Sequence, residues 1–163
     1  MLLDRKQLKV RSGRIGLISD THGLVRPEAL AALKGSELII HAGDIGKPEV
    51  LETLKTIAPT LAIRGNNDRD SWAKNIPDLL DLKINEIKLY VIHNVNELEC
   101  DPAEVFHAVI SGHSHKPRIV TKDGVLFINP GSAGPRRFKL PIAIARLQIN
   151  GAKIGAKIRN LKV

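Results

Sequence analysis

Hydrophobic positions in the first half of the chain form short apolar runs, and polar residues begin where each run stops. The runs at 15–19, 37–41 and 60–64 have the length and composition of buried strands. Between them, 27–34 and 47–58 have the pattern of helices. The resulting order β-α-β-α-β favours a parallel sheet with right-handed crossovers.

The second half of the chain is predicted to be mainly β. Strands at 82–84 and 87–92 are expected to form a hairpin around Asn85-Glu86, and 102–107 is predicted to be a short helix. Further apolar or alternating runs predict strands at 108–110, 118–121, 125–129, 142–150 and 152–159. We therefore expect an α/β fold in which two sheets pack face to face with helices on the outside.

Length and composition fit one globular domain. The chain has 163 residues, of which 43% are hydrophobic and 26% charged, which is enough apolar material for a core of its own. No linker, repeat or low-complexity tract interrupts it. A single domain is therefore expected over 1–163, with 1–13 as a polar N-terminal extension.

Cysteine content and the lengths of the apolar runs bear on location. The single cysteine, Cys100, excludes an internal disulfide and a four-thiolate zinc site, which favours a reducing cytoplasm. Neither a signal peptide nor a membrane span is predicted, because no apolar run approaches the length of either. A cytoplasmic protein without membrane contact is the expectation.

The formal net charge of +8 introduces a nucleic-acid partner as an alternative. The basic residues are scattered along the chain, and few aromatic residues exist to stack on bases. A solvated basic surface is therefore favoured over a nucleic-acid interface. The sequence leaves the oligomeric state open, so a homo-oligomer stays an alternative to a monomer.

Side chains suited to metal binding lie where the predicted strands end. Imidazole nitrogens and carboxylate or amide oxygens suit divalent ions of the Zn, Mn, Fe and Ni group. Because ligands collect beyond the carboxyl ends of strands in open α/β sheets, these side chains are expected to meet at one edge. The candidate ligands are Asp20, His22, Asp44, Asn66, His93, His113 and His115.

Individual candidates differ in what they offer. Asp44 follows Gly43 and has two oxygens, so it is the expected bridging ligand between two ions. Asn66 would bind a metal without adding negative charge that repels phosphate. His41, Asp68 and Asn129 are left open between a role beside the site and a purely structural one.

The order of the motifs resembles that of the calcineurin-like metallophosphoesterases. These motifs are D-x-H at 20–22, G-D at 43–44, G-N-x-D at 65–68, the strand-ending His93, and G-H-S-H at 112–115. The chain length, the sequence H-A-G-D at 41–44 and the sequence N-P-G-S at 129–132 are further similar to small YfcE-type phosphodiesterases. The likeness covers about 15–159.

The resemblance implies a four-layer α/β/β/α sandwich and a catalytic pair of divalent cations. One ion would be held by Asp20, His22, Asp44 and His115, and the other by Asp44, Asn66, His93 and His113. A bridging water, its pKa lowered by both ions, would attack phosphorus, with Asp44, Asn66 and His93 as the central catalytic residues. Mn²⁺ is the first expectation, and Ni²⁺, Zn²⁺ and Fe²⁺ are alternatives.

Two departures from the family pattern indicate which substrates to expect. Asn67 stands where phosphomonoesterases of the family often have a histidine that protonates the leaving group. Asn94-Val95 replaces the usual Gly-His after His93. A small phosphodiester or nucleotide-like substrate is therefore expected, with Asn67 and Arg136 as candidate contacts to it.

Other functions stay open at this stage. The same fold could serve as a protein-binding scaffold, as in the retromer scaffold subunit, whose site is degraded. A phosphomonoesterase or protein phosphatase is a further alternative, although the histidine that would act as general acid is absent. A nuclease that uses the basic surface is the fourth, and its activity would weaken steeply with salt.

Overall fold

Two mixed β-sheets make up most of the protein, as the computed structural model of residues 1–163 shows. Two α-helices and two single turns of 3-10 helix, at Ser71–Ala73 and Val95–Glu97, accompany them. The helices are α1 (Pro27–Leu33) and α2 (Pro48–Lys55). The strands are β1 (Leu3–Leu8), β2 (Arg14–Ile18), β3 (Leu38–His41), β4 (Thr60–Ala62), β5 (Leu79–Ile84), β6 (Ile87–Ile92), β7 (Ala108–Ile110), β8 (Arg118–Lys122), β9 (Val125–Asn129), β10 (Ala143–Asn150) and β11 (Lys153–Asn160).

The five-stranded sheet has the order β11-β10-β2-β3-β4. Strands β2, β3 and β4 are parallel, and α1 and α2 connect them. Crossover connections of this kind are required because a tight turn cannot join parallel neighbours. The β-α-β-α-β prediction is confirmed, and the hairpin β10–β11 completes the sheet by pairing antiparallel to β2.

The six-stranded sheet has the order β1-β5-β6-β7-β9-β8. Its hairpins β5–β6 and β8–β9 lie where the sequence predicted strands, although β5 begins at Leu79 rather than at 82. Within the expected polar extension at 1–13, the structure has a strand that the sequence did not predict, because β1 pairs in parallel with β5 at the sheet edge. Most of its side chains face solvent, so a charged composition suits this edge position.

The sheets bury a common core between them. Ile15, Leu17 and Ile40 of one sheet pack with Leu82 and Leu89 of the other in the largest apolar cluster. Since successive side chains of a strand point to opposite faces, the alternate residues of β2 and β3 face outward, where α1 and α2 cover them. The predicted pair of packed mixed sheets is confirmed.

The outer face of the six-stranded sheet has no α-helix over it, and the helix predicted at 102–107 is wrong. Pro102 instead begins a turn, and the carbonyl of Pro102 accepts hydrogen bonds from the backbone amides of Val105 and Phe106 at 3.2 and 3.0 Å. Glu104 has a left-handed φ of 65°, which a continuing α-helix excludes. His107 then enters the sheet by donating its amide to Lys88. Loops, and not a helix, therefore lie over much of the outer face of the six-stranded sheet.

Candidate metal centre

Backbone hydrogen bonds tie together the loops that follow the strands. The amide of Asp20 donates to the carbonyl of Gly43 at 3.0 Å, and that of His22 donates to Asp44 at 3.0 Å. In the other sheet, the amide of Gly112 donates to His93 at 2.9 Å. Loops that are far apart in sequence therefore converge at one end of the sandwich.

Two groups of candidate ligands meet at this end. Asp20, His22 and His115 form one, and Asp20, Asp44 and His93 form the other, with the ligand atoms of each group within 4.8 Å of one another. Asp20 Oδ1 lies 3.4 Å from His115 Nε2, 3.8 Å from His93 Nε2 and 4.0 Å from His22 Nε2. Ligand atoms at bond lengths of about 2.0–2.1 Å around a tetrahedral ion are separated by roughly 3.3 Å, so the spacing suits a shared cation.

Asp44 lies between the two sets of residues that the resemblance assigned to different ions. Its Oδ2 is 3.7 Å from His22 Nε2 and 3.3 Å from His93 Nε2. This position suits the predicted bridging role, although the residue common to both groups is Asp20 and not Asp44.

Unpaired buried atoms support the metal interpretation. Asp20 Oδ1, His22 Nε2 and His93 Nε2 are buried and have no hydrogen-bond partner. Leaving such atoms unpaired away from water costs about 1–3 kcal/mol each, and more for a charged group. A cation at the point where they converge would satisfy them together, so the residues fit a divalent metal.

Neighbouring hydrogen bonds select which atoms face the site. Ser19 Oγ and the amide of His113 donate to Asp20 Oδ2 at 2.7 and 3.1 Å, which leaves Oδ1 free. His93 Nδ1 is 2.7 Å from the carbonyl of Ala42, so it donates there and Nε2 is left to bind. Asp20 and His93 are thus oriented through the atom that faces away from the candidate site.

The protonation of Asp44 and His93 follows from their mutual contact. Burial raises the pKa of Asp44, but His93, the amide of Asn67 and His22 outweigh it and bring the pKa to about 2. Burial lowers the pKa of His93, but Asp44 and Asp20 outweigh it and raise the pKa above its ordinary value. The carboxylates thus favour positive charge at the position where a cation would bind.

Backbone strain is concentrated in the ligand loops. Left-handed φ angles occur at Asp20 (55°), His22 (46°), Asp44 (56°), His113 (70°) and His115 (62°). This conformation costs a residue with a side chain about 1–2 kcal/mol and persists where the surroundings impose it. Its concentration among candidate ligands indicates a functional site.

Two glycines of the motifs are required by close approach rather than by turn conformation. A Cβ at Gly65 would collide with Asp44 Oδ1 and the backbone of Asp44. A Cβ at Gly112 would collide with Ser19 Oγ and would lie 2.7 Å from Asp20 Oδ2. The glycines of the G-N and G-H motifs therefore leave room for the carboxylates.

Asn66 and His113 lie at the rim, outside the two ligand groups. Both are exposed, and with His93 they line a cavity of about 400 Å³. The ring centroids of His113 and His93 are 5.3 Å apart, edge to face. Their roles as ligands of the second ion stay predictions.

The predicted substrate contacts are placed differently. Asn67 Nδ2 donates to Asp44 Oδ2 at 3.3 Å, and the backbone amide of Asn67 donates to Asp44 Oδ1 at 3.0 Å. The Asn67 side chain thus contacts the Asp44 carboxylate. Arg136 is exposed in the loop after Ser132, where Nη1 lies 3.5 Å from the carbonyl of Leu140. It does not line the cavity beside His93.

His41 connects two of the ligand loops. Its Nδ1 accepts from the amide of Gly43 at 3.1 Å, so Nε2 carries the proton and donates to Thr21 Oγ1 at 2.9 Å. Thr21 donates in turn to the carbonyl of Ile45 at 2.8 Å. Complete burial lowers the pKa of His41 to about 4, which keeps it neutral. It positions loops and does not reach the metal centre.

Asp68 connects the loops after β3 and β4. Its Oδ2 accepts from the amides of Ile45 and Gly65, both at 2.9 Å, and its Oδ1 accepts from Gly46 at 3.0 Å. Only 2% of the residue is exposed. This carboxylate holds the loops that bear Asp44 and Asn66.

Hydroxyl and amide side chains hold the backbone beside the candidate ligands His113 and Asp20. Asn129 Nδ2 donates to the carbonyl of Gly112 at 2.8 Å, beside His113. Ser132 Oγ donates to the carbonyl of Asp20 at 2.9 Å. Sequence reasoning missed Ser19, Thr21 and Ser132 because their partners are set by the fold. The available signal was that Ser19 and Thr21 flank Asp20.

Comparison with known proteins places these motifs in a family context. A family model described as the calcineurin-like phosphoesterase superfamily domain matches residues 14–152. A probable metallophosphoesterase of Methanothermobacter thermautotrophicus is 34% identical, with 88% of this chain and 90% of that protein covered.

Solved structures share the fold. An archaeal phosphodiesterase is similar with a TM-score of 0.72 and 26% identity, over 90% of this chain and 99% of that one. The phosphoesterase YfcE of E. coli has a TM-score of 0.65 and 20% identity, over 91% of this chain and 100% of that one. Vacuolar Protein Sorting 29 of Cryptosporidium parvum has a TM-score of 0.69 and 19% identity, over 91% and 97%. The last two likenesses concern the fold alone.

Proposed function

Because this chain belongs to the calcineurin-like phosphoesterase superfamily, we propose that it hydrolyses small phosphodiesters with the help of two divalent cations. The resemblance inferred from the motifs is confirmed at the level of the family, which is metal-dependent. The observation that carries the proposal is that buried atoms of Asp20, His22 and His93 without a hydrogen-bond partner lie close together. Without a cation these atoms would have no partner.

The proposed ligand sets follow the family pattern. One ion is assigned to Asp20, His22, Asp44 and His115, and the other to Asp44, Asn66, His93 and His113. The first set is supported by the close approach of Asp20 to His22 and His115. For the second, the support is the contact of Asp44 with His93 and the position of Asn66 and His113 on one cavity.

Divalent ions bound there would lower the pKa of a coordinated water and hold the oxygens of the phosphoryl group. The chain's own residues keep the ligands ready for them. Asp44 is ionised at neutral pH because its pKa is about 2. His93 is held with Nε2 toward the site by the carbonyl of Ala42. The nitrogen and oxygen ligands suit Mn²⁺, with Ni²⁺, Zn²⁺ and Fe²⁺ as alternatives.

The preference for diesters rests on Asn67. An amide cannot donate a proton to a leaving oxygen, and here it is hydrogen-bonded to Asp44. Substrates whose leaving group needs little protonation should therefore react fastest. We propose that Asn67 acts by holding Asp44 and that Arg136 contacts the substrate from its exposed loop. The 26% identical archaeal phosphodiesterase supports the same substrate class.

The test is turnover by purified protein that has been stripped of metal and reloaded with single divalent ions. Hydrolysis of bis(p-nitrophenyl) phosphate should appear with Mn²⁺ and exceed that of p-nitrophenyl phosphate. Asp44→Asn should lose the activity, whereas Glu52→Gln on the exposed side of α2 removes the same charge and should keep it. Faster monoester turnover would indicate a phosphomonoesterase. Absence of both metal binding and hydrolysis would favour a scaffold.

A further inference from the structure

We propose that a second cavity, beside the metal centre, binds one arm of a nucleotide-like diester, with its ring on an apolar floor and a further phosphate near free cations. The inference deepens the proposed function and rests on it. The cavity has a volume of about 590 Å³, within the range typical of small-molecule sites.

The floor of this cavity is the outer face of the six-stranded sheet. Val120 and Phe127 are paired across β8 and β9, and Val125 lies two residues before Phe127, so their side chains share one face. Val95 and Leu98 also line the cavity, and Leu98 packs against the same apolar cluster as Phe127. Because the chain makes a turn rather than a helix after Pro102, this apolar face is left accessible beside the turn.

Free cations lie along one side of the cavity. Arg118, Val120 and Lys122 are spaced two residues apart along β8, so their side chains lie on the same face of the sheet. Lys116 lies beyond the start of the strand and lines the same cavity. All three are exposed, and none has a carboxylate within 4.0 Å. Asp101 and Asp123 also line the cavity, so the three cations outnumber the carboxylates by one, and an anionic group can pair with cations that have no carboxylate partner.

The cavity adjoins the candidate metal centre. Asn94 and His113 line both this cavity and the smaller one that contains His93. A phosphodiester held at His113 can therefore extend one arm over Phe127. A flat ring stacks on an aromatic side chain, and a phosphate pairs with Arg and Lys. A nucleotide arm has both groups, which is why we choose it over a purely apolar ligand.

Binding is tested by calorimetric titration of the full chain with a nucleoside 3′,5′-bisphosphate in EDTA, so that neither metal nor turnover contributes. Val120→Trp should fill the floor and weaken binding at least tenfold. The double variant Arg118→Gln/Lys122→Gln should weaken it about tenfold, a few-fold for each exposed cation. Lys34→Gln/Lys55→Gln removes the same charge from exposed positions around the helices and should bind as the wild type does.

Each result decides the matter. Absence of binding to the wild type, or equal binding by wild type and the Arg118/Lys122 variant, overturns the proposal. The latter variant changes exposed side chains only, so it remains decisive if Val120→Trp fails to fold.

Turnover separates the cavity from the metal centre. Two esters with the same leaving group, thymidine 3′-phosphate 5′-(p-nitrophenyl phosphate) and methyl p-nitrophenyl phosphate, differ only in the other arm. The kcat/KM of the nucleoside ester should be about tenfold higher, and this ratio should fall towards one in the Arg118/Lys122 variant. Equal kcat/KM values for the two esters in the wild type would contradict the binding of a nucleotide arm, whereas the proposed phosphodiesterase activity would still stand. If no metal supports hydrolysis of either ester, the proposed function fails, and the titration still decides the cavity.

Discussion

The substitution Asp68→Asn tests how strongly one buried carboxylate holds the loops that bear Asp44 and Asn66. Asp68 accepts from the amides of Ile45, Gly46 and Gly65 at 2.9–3.0 Å. Asn has a single acceptor oxygen, so at least one of these amides would face an NH₂ group. Hydrogen bonds to charged groups contribute about 1.5–3 kcal/mol each. Loss of the charge and of one acceptor should therefore destabilise the protein by roughly 3 kcal/mol.

The effect should extend to the metal centre because the same amides position Asp44 and Asn66. Loss of a group that orients ligands weakens metal affinity by about 10–100-fold in comparable sites. Urea denaturation measures the free energy of unfolding, and titration with Mn²⁺ measures the affinity. Asp70→Asn is the matched control, since Asp70 is exposed and its side chain caps nothing. If Asp68→Asn matches this control in both assays, Asp68 does not hold the loops.

The remaining predictions concern other parts of the same end of the molecule. Asp44→Asn should reduce diester turnover by orders of magnitude with little change in the far-UV circular dichroism, and turnover within threefold of wild type would contradict a shared carboxylate. His41 has a pKa of about 4 in the folded protein against 6.5 as the ordinary value, so below pH 6.5 the unfolded chain binds a proton that the folded one excludes. Stability should thus fall by roughly 3 kcal/mol as the pH drops from about 6.5 to 4, and His41→Gln should flatten this part of the curve of unfolding free energy against pH. Gly65→Ala should weaken Mn²⁺ binding at least tenfold, because its Cβ would displace the Asp44 carboxylate; affinity equal to wild type would mean that the loops can move apart freely.

Periodic apolar runs predicted the parts of the fold whose strands are buried. Most residues of β2, β3 and β6 are buried, so their sequences are largely apolar and easy to recognise, with Arg14 and Lys88 as the charged exceptions. By contrast, β1 exposes most of its side chains, and its strand conformation depends on backbone pairing with β5, which leaves no mark on composition. The segment at 102–107 has helix-forming residues, but the need to enter β7 beside β6 prevails over their propensity.

The candidate ligands could be predicted because their positions depend on chain order and strand ends. The groups that orient them could not, since their partners are distant in sequence. His41 contacts Thr21, and Asp68 contacts Ile45, only after the loops have converged. The same holds for the contact of Asn67 with Asp44, while the contact of Asn67 with substrate stays a prediction.

Anomalous diffraction from crystals grown with Mn²⁺ shows directly whether these buried side chains hold a pair of cations. Two peaks are expected about 3.5–4 Å apart, one beside Asp20, His22 and His115 and the other beside His93, with the Asp44 carboxylate between them. A map with no peak at these side chains, or with Mn²⁺ bound only elsewhere, would contradict the two-cation site.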